Sequence, residues 1–278
     1  MSKSTTDKEL QSKGLKRDAI DKFYTNVNYA NKCIMTIKTH LEINYQDLII
    51  EPSAGNGSFI LGIKELTCNN LFYDIDPENN EILKQDYLLL DLQQFKDKII
   101  HVIGNPPFGR QSSTAIKFIK KSAEFANSIS FILPKSFKKE SMKSKFPLEF
   151  HLIFEEDVPS YSFLVNEKEY DVPCVLQIWK KYDEKRLQQI KQVPVGFEFV
   201  KIFETPDISF RRVGVYAGKI DIGVNKSEQS HYFIKFTNNK SIEENLLNLK
   251  KIKFKDNNTV GPKSISKQEL IEEFIKFL

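Results

Sequence analysis

Cysteine is scarce in this chain of 278 residues: there are three, Cys33, Cys68 and Cys174, with neither redox nor metal-site spacing between them. Reduced thiols and no structural metal are therefore expected. Histidine is nearly as rare, and the four residues form no cluster along the chain. Long hydrophobic runs are missing too. No segment approaches the roughly 20 apolar residues that span a bilayer, and the opening Met1-Ser2-Lys3-Ser4 has no secretory core. These absences argue against membrane, secreted and disulfide-stapled classes and point to a cytoplasmic protein. There is no internal repeat, and neither sign of charge dominates, with 41 Lys and Arg against 37 Asp and Glu for a net +4. That balance permits binding to a polyanion without requiring it, because local clustering of cations is what counts. A hydrophobic share of 40% is enough for a substantial core, and the length suits one catalytic domain with a smaller appendage.

What is present begins with Asn105-Pro106-Pro107-Phe108, which follows an apolar run, Ile99 to Ile103, that reads as a buried strand ending at Gly104. Two prolines lock the backbone just past the strand end, so the side-chain amide of Asn105 and the carbonyl of Pro106 can face one point. Phe108 adds an aromatic face. Two fixed acceptors beside a ring suit a planar group with an exocyclic amine, adenine foremost. Taken alone, the tetrapeptide equally fits an ordinary strand-ending turn.

Upstream, Leu48-Ile49-Ile50-Glu51 reads as a short buried strand running into Pro52-Ser53-Ala54-Gly55-Asn56-Gly57-Ser58-Phe59, with a helix expected from Ser58. Small residues and two glycines let a backbone approach a ligand closely. Glu51 at the strand end suits a cation rather than a phosphate, and the amino group and sulfonium of S-adenosylmethionine meet that requirement. A second strand, Leu71-Phe72-Tyr73, ends in Asp74-Ile75-Asp76-Pro77, about twenty residues after the glycines, where nucleotide-binding α/β folds place a carboxylate for ribose hydroxyls. Asp74 is the choice for that carboxylate, with helix capping as its plainer role. Ile75 would lie against an adenine ring, and Asp76 and Pro77 would start the next helix. A third strand, Leu83 to Leu88, supplies Asp86 for the cofactor's adenine amine.

With these residues in view, the chain resembles the adenine-N6 methyltransferases that carry an NPPF motif, in the motif order of the gamma class. The resemblance covers roughly the first 180 residues and rests on EPSAGNGSF, YDIDP, QDYL and NPPFG in sequence order. Asp21-Lys22-Phe23-Tyr24-Thr25 is similar to the family's opening motif, whose aromatic-Thr pair closes over the methionine end of the cofactor. Asn26 stands where family members often have proline, which leaves the contacts of Tyr24 and Thr25 open. The resemblance implies a doubly wound, Rossmann-like α/β methyltransferase sheet with a smaller C-terminal α+β domain. It also implies cofactor contacts from Tyr24, Thr25, Glu51, Ser53, Ala54, Gly55, Gly57, Asp74, Ile75, Asp86 and Asn105. Chemistry would fall to Asn105, Pro106 and Phe108: two oxygens take the amine's N–H bonds while the ring, beside Pro107, stacks on the base. A base inside a duplex must be flipped out to reach such a pocket.

Downstream, a helix is expected across Thr114 to Phe125 and a buried strand at Ile129 to Leu133. Lys135, Lys138, Lys139, Lys143 and Lys145 follow with only Glu140 opposing them, on a loop leaving the same sheet edge as the catalytic turn. Phosphate contact by Lys135, Lys138 and Lys139 is one reading and a solvated face the other. Tyr161 and Phe163 precede a strand at Val175 to Trp179, and the resemblance places an aromatic from this region against the flipped base, Phe163 first and Tyr161 close behind.

The expected division is a disordered tail over residues 1–15, a catalytic domain over 16–182 and a target-recognition domain over 183–278, with Asp183 to Gln189 as a charged linker or short exposed helix. Strands with turn glycines and a C-terminal helix over Lys267 to Leu278 fill the last part. Its paired Arg211 and Arg212, beside Phe210, suit a nucleic-acid backbone or base edge, or else guard an edge strand. The leading function is methyl transfer from S-adenosylmethionine to adenine N6 in DNA, with an RNA adenine methyltransferase as the nearest alternative. A protein glutamine methyltransferase is disfavoured by Phe108 and Glu51, and an inactive nucleic-acid-binding module by the complete motif set. The expected partners are nucleic acid and, for a restriction-modification role, a cognate nuclease. Oligomeric state is left open.

Overall fold

A computed structural model describes residues 23–165, 168–187, 190–254 and 263–277. The chain forms two compact units, one within Leu15–Gln188 and one within Gln189–Leu278. The tail expected over residues 1–15 lies outside the described residues.

The first unit runs β1 (Tyr24–Thr25), α1 (Val27–His40), β2 (Leu48–Glu51), α2 (Ile60–Leu66), β3 (Asn69–Asp74), β4 (Leu83–Lys84), β5 (Ile100–Gly104), α3 (Ser113–Ala123), β6 (Ser128–Pro134), α4 (Glu140–Lys143), β7 (Phe150–Asp157), β8 (Phe163–Val165), β9 (Lys168–Tyr170) and β10 (Cys174–Lys181). Seven strands make one sheet in the order β4-β3-β2-β5-β6-β10-β7. The first five are parallel and β10 is antiparallel to both its neighbours. This is the doubly wound α/β architecture. Parallel strands covered on both faces need continuous apolar runs, and every residue of β2, β5 and β6 is buried. In α3 the buried residues Ala115, Phe118, Ile119 and Ser122 recur at three- and four-residue steps, the spacing of one helical face.

Strand order reverses between β2 and β5, because β3 continues one way from β2 and β6 the other way from β5. Ligands of such sheets bind at the carboxyl ends of the two strands flanking that switch. Here those ends are Glu51 and Gly104. At the opposite, amino edge, His101 bridges Ser128 (Nδ1 to Oγ, 2.7 Å) and Asp47 (Nε2 to Oδ2, 3.2 Å), all three buried, so this trio ties β2, β5 and β6 together.

Two expectations fail between β3 and β5. No helix follows Asp76-Pro77; residues 78–81 turn instead. The Asn79 side chain accepts the Glu81 amide at 2.9 Å, the local bond by which asparagine competes with helix, and the Glu78 amide is drawn to the Gly55 carbonyl at 3.0 Å. The third strand is only Leu83–Lys84, and Asp86 caps a 3-10 turn over Tyr87–Leu89 by accepting the Leu88 amide at 2.9 Å. The linker reading also fails at Arg186. Its guanidinium donates to the carbonyls of Phe150, Phe146 and Lys143 and lies 5.2 Å from the Trp179 ring, which fastens this stretch to the first unit.

The second unit is α+β. Strands β11 (Phe197–Val200), β12 (Ile208–Arg211), β13 (Ile220–Asp221) and β14 (His231–Phe236) form an antiparallel sheet in the order β11-β14-β12-β13. Helices α5 (Ile242–Lys251) and α6 (Lys267–Phe274) follow, each opened by a capping box, Ser241 with Glu244 and Ser266 with Glu269. Alternate strand residues Phe197, Ile208, Phe210 and Ile234 bury against Leu249, Leu270 and Phe274. A 3-10 turn over Ile275–Phe277 ends the helix expected to reach Leu278.

Candidate active site

At the end of β2, Glu51 is 2% exposed and its Oε2 has no hydrogen-bond partner among the described residues. Burial, and then the nearby charge of Asp74, push its pKa up to about 8. A carboxylate so placed is short of one thing, a positive neighbour. The chain then turns through Gly55 at φ +55, where a Cβ would stand 2.7 Å from the Tyr24 ring. Only glycine lets β1 lay that ring across the turn, and Tyr24 Oη hydrogen-bonds Glu78 Oε1 beyond it. Asp74, at the end of β3, accepts the Gly55 amide on one oxygen and the Asp76 amide on the other, both at 2.8 Å. It braces the glycine turn rather than capping a helix. Ile75 beside it leaves 58% of its surface exposed, a bare apolar face next to the carboxylate.

The end of β5 abuts the same place: a Cβ on Gly104 would lie 3.3 Å from Glu51 Cγ. Asn105 follows, half-buried. Its Nδ2 donates to the Phe23 carbonyl at 3.0 Å and to Thr25 Oγ1 at 3.2 Å. A carbonyl can only accept, so this pair fixes which end of the amide is nitrogen. Oδ1 is thereby turned the other way, buried and without a partner among the described residues. Ser53 Oγ donates to the Asn105 carbonyl at 3.1 Å and pins the β2 turn to the β5 turn. Thr25 and Ser53, read from sequence as cofactor contacts, therefore position Asn105. Phe23 enters the sequence reading only as part of the opening segment, with no role of its own, since its contribution is a backbone carbonyl and nothing in residue type signals that.

The other residues divide. Ala54 is buried and Gly57 turns at φ +87 within the glycine loop. Pro106 is buried and Pro107 half-buried. Phe108 is 8% exposed and lies nearly parallel to Phe23, centroids 6.4 Å apart and planes at 19°, and Phe23 in turn tilts against Tyr170 at 5.9 Å. The face expected to hold a base is thus shared with a neighbouring ring. Phe163 is corrected outright: at 1% exposure, with its Cα paired to that of Thr25 across β8 and β1, it is core. Tyr161 is 61% exposed at φ +62, a conformation that costs a tyrosine energy and that surrounding structure must hold.

The lysine run is corrected as well. Lys135 and Lys138 pair with Asp157 at 3.0 and 2.8 Å and Lys143 with Glu155 at 3.1 Å, so carboxylates of β7, far along the sequence, oppose charges that looked unopposed. The hydrogen bond from Lys138, with Lys135 assisting, holds Asp157 below the usual carboxylate range. Lys139 lies between the 3-10 turn Lys135–Lys138 and α4. Arg211 and Arg212 do not act as a pair. Successive residues of an extended chain face opposite ways. Arg211 borders a cavity, whereas the Arg212 guanidinium sits 5.3 Å from the Tyr232 ring with its Nε buried and unpartnered among the described residues. No group of three or more metal-ligating side chains and no helix long and apolar enough to cross a membrane occurs among the described residues.

No family model and no curated protein matches the chain. Among solved structures it is similar to the 23S rRNA methyltransferase ErmE, at 15% identity over 59% of this chain and 72% of that one, with a TM-score of 0.45. It is also similar to an rRNA methylase from Streptococcus thermophilus, at 12% identity over 60% and 99% with a TM-score of 0.37. A third is the methyltransferase subunit of a type I restriction-modification system from Streptococcus thermophilus, at 14% identity over 59% and 46% with a TM-score of 0.44. Those substrates belong to those proteins; the chemistry of this chain has to come from its own residues.

Proposed function

We propose that this protein transfers a methyl group from S-adenosylmethionine to the N6 amine of adenine in a nucleic acid, DNA in the first instance. The observation that carries the reading is the pair of buried oxygens without a partner among the described residues, Glu51 Oε2 and Asn105 Oδ1, at the ends of the two strands that flank the switch point. Leaving a buried polar atom unpaired costs about 1–3 kcal/mol, and two at the ends of neighbouring strands suggest groups kept for a ligand. The residues fit the cofactor: Glu51 is suited to its cationic part, the glycine turn beneath Tyr24 to a closely approaching chain, and Asp74 with exposed Ile75 to ribose and adenine. Asp86 lies two residues past the edge strand, at the cap of the 3-10 turn. When bound, S-adenosylmethionine supplies an electrophilic methyl carbon.

The rest of the work falls to side chains of this protein. Adenine's exocyclic nitrogen is a weak nucleophile because its lone pair is delocalised into the ring. Asn105 Oδ1, aimed by Phe23 and Thr25, accepts one N–H, and the Pro106 carbonyl accepts the other. This favours the localised pair and stabilises the charge that grows on nitrogen. No strong base is needed, because the positively charged, methylated nitrogen is acidic enough to release its extra proton to water. Phe108 supports the base, and Phe23 must share or yield its position as the base enters. Incubating DNA and RNA separately with the protein and methyl-labelled S-adenosylmethionine, followed by nucleoside mass spectrometry, tests substrate and product together. Label in N6-methyladenine from DNA supports the reading, label from RNA alone moves the substrate to RNA, and label in neither removes the proposal.

A further inference from the structure

The second unit contains a cavity of about 160 Å³ bordered by Arg211, Tyr216, Lys219, Asp221, Lys226 and His231. Three cations face one carboxylate, and that carboxylate is already engaged. Asp221 pairs with Lys226 at 3.1 Å and accepts the Gly223 amide at 3.1 Å. Arg211 commits only Nε, to the Val213 carbonyl at 3.1 Å, and the Lys219 ammonium has no hydrogen bond or ion pair among the described residues. The donors that remain belong to Arg211 and Lys219. Burial, with Arg211 and Lys226 nearby, holds His231 below its ordinary pKa, and its Nδ1 is engaged by Ser230 Oγ at 3.0 Å and the Ser227 carbonyl at 3.3 Å, so it borders the cavity without adding charge. On the rim, Tyr216 is 68% and Val215 76% exposed, which places an aromatic face beside the cations.

Size narrows the ligand. At about 30 Å³ per water, the cavity holds roughly five waters, well under the ~300–1,000 Å³ typical of sites that enclose whole small molecules. A phosphate group fits inside, and whatever is attached to it must lie outside, over the rim. We propose that this cavity seats a backbone phosphate of the nucleic-acid strand, gripped by Arg211 and Lys219, with Tyr216 against the adjoining base or sugar. The proposal rests on the reading that the substrate is a nucleic acid, and it gives the second unit a positioning role without sequence readout.

The test measures binding of a fluorescent oligonucleotide to the full chain without S-adenosylmethionine, across a salt series, so it needs no turnover. Lys219→Gln removes an exposed cation, and Lys251→Gln at the end of α5 serves as the equal-charge control. We expect Lys219→Gln to weaken binding several-fold and to lower the log–log salt slope by about 0.9 on duplex or about 0.7 on single strands, with the control unchanged. Methylation should then show a raised KM at unaltered kcat. An unchanged slope, or an equal change in the control, overturns the proposal. Inorganic phosphate that competes at the same concentration as strand phosphate would reassign the cavity to a free anion, and equal displacement by poly-glutamate to an acidic protein. Because binding is read apart from chemistry, a protein that binds through this cavity but methylates nothing would refute the methyltransferase reading alone.

Discussion

Replacing Glu51 with glutamine gives the sharpest consequence of a buried acid kept for a cation. In the unfolded chain its carboxyl titrates near the ordinary 4.5, whereas in the folded protein burial lifts it to about 8. A folded pKa above the unfolded one adds stability that is complete below pH 4.5 and is lost as pH climbs toward 8. The loss is about 1.4 kcal/mol per pH unit, which reaches about 3 kcal/mol at pH 7. Glutamine has no such slope, although its buried amide carries its own cost of about 1–3 kcal/mol if unpaired. The difference in slope is therefore the signature, not the difference in stability at one pH. Urea unfolding at pH 5, 6, 7 and 8 should show the wild type losing stability relative to Glu51→Gln at each step. The same carboxyl predicts that S-adenosylmethionine binding at pH 7 expels most of one proton, measurable by calorimetry in two buffers of different ionisation enthalpy, and that the variant expels none from this site. Parallel stability curves for the two proteins would refute the reasoning.

Thr25→Val should lower kcat with little change in cofactor affinity, because it removes one of the two bonds that orient Asn105, and Thr25→Ser should restore it; equal losses in both variants would assign Thr25 to packing. Lys138→Gln should leave the salt slope of nucleic-acid binding unchanged and cost at most about 1 kcal/mol of stability, because its ammonium is already held by Asp157, which it shares with Lys135. A slope lowered by about one would return this lysine to the binding face. Phe163→Ala should cost about 3–5 kcal/mol in denaturant unfolding as a buried aromatic, whereas Tyr161→Ala should leave stability near wild type and impair substrate use. The reverse pattern would restore Phe163 as the base contact.

Much of the first unit was legible because its signals are local. Leu48–Glu51 reads as a buried strand and forms one, and the strand before Gly104 departs by only its first residue. The grouping of Glu51, Gly55, Asp74 and Asn105 at a single sheet edge follows from alternating strands and crossovers, which the motif order already implies. What was not legible depends on partners far along the chain. Nothing near Lys135 and Lys138 announces that Asp157 will oppose them, and nothing near Phe163 announces that β8 pairs with β1. The helix expected after Pro77 is lost to asparagine turns, a case of side-chain hydrogen bonding outcompeting a plausible cap. Residue types also hide backbone roles: the Phe23 carbonyl that orients Asn105 has no identity in the sequence.

The most direct test of the central claim is nucleoside mass spectrometry of adenine-containing DNA and RNA incubated with methyl-labelled S-adenosylmethionine, run side by side for the wild type and Asn105→Ala. The account predicts labelled N6-methyladenine from the wild type and at least a ~100-fold loss in the variant, with cofactor affinity in both within a few-fold. Equal label from both proteins, or label on any other atom, would contradict it.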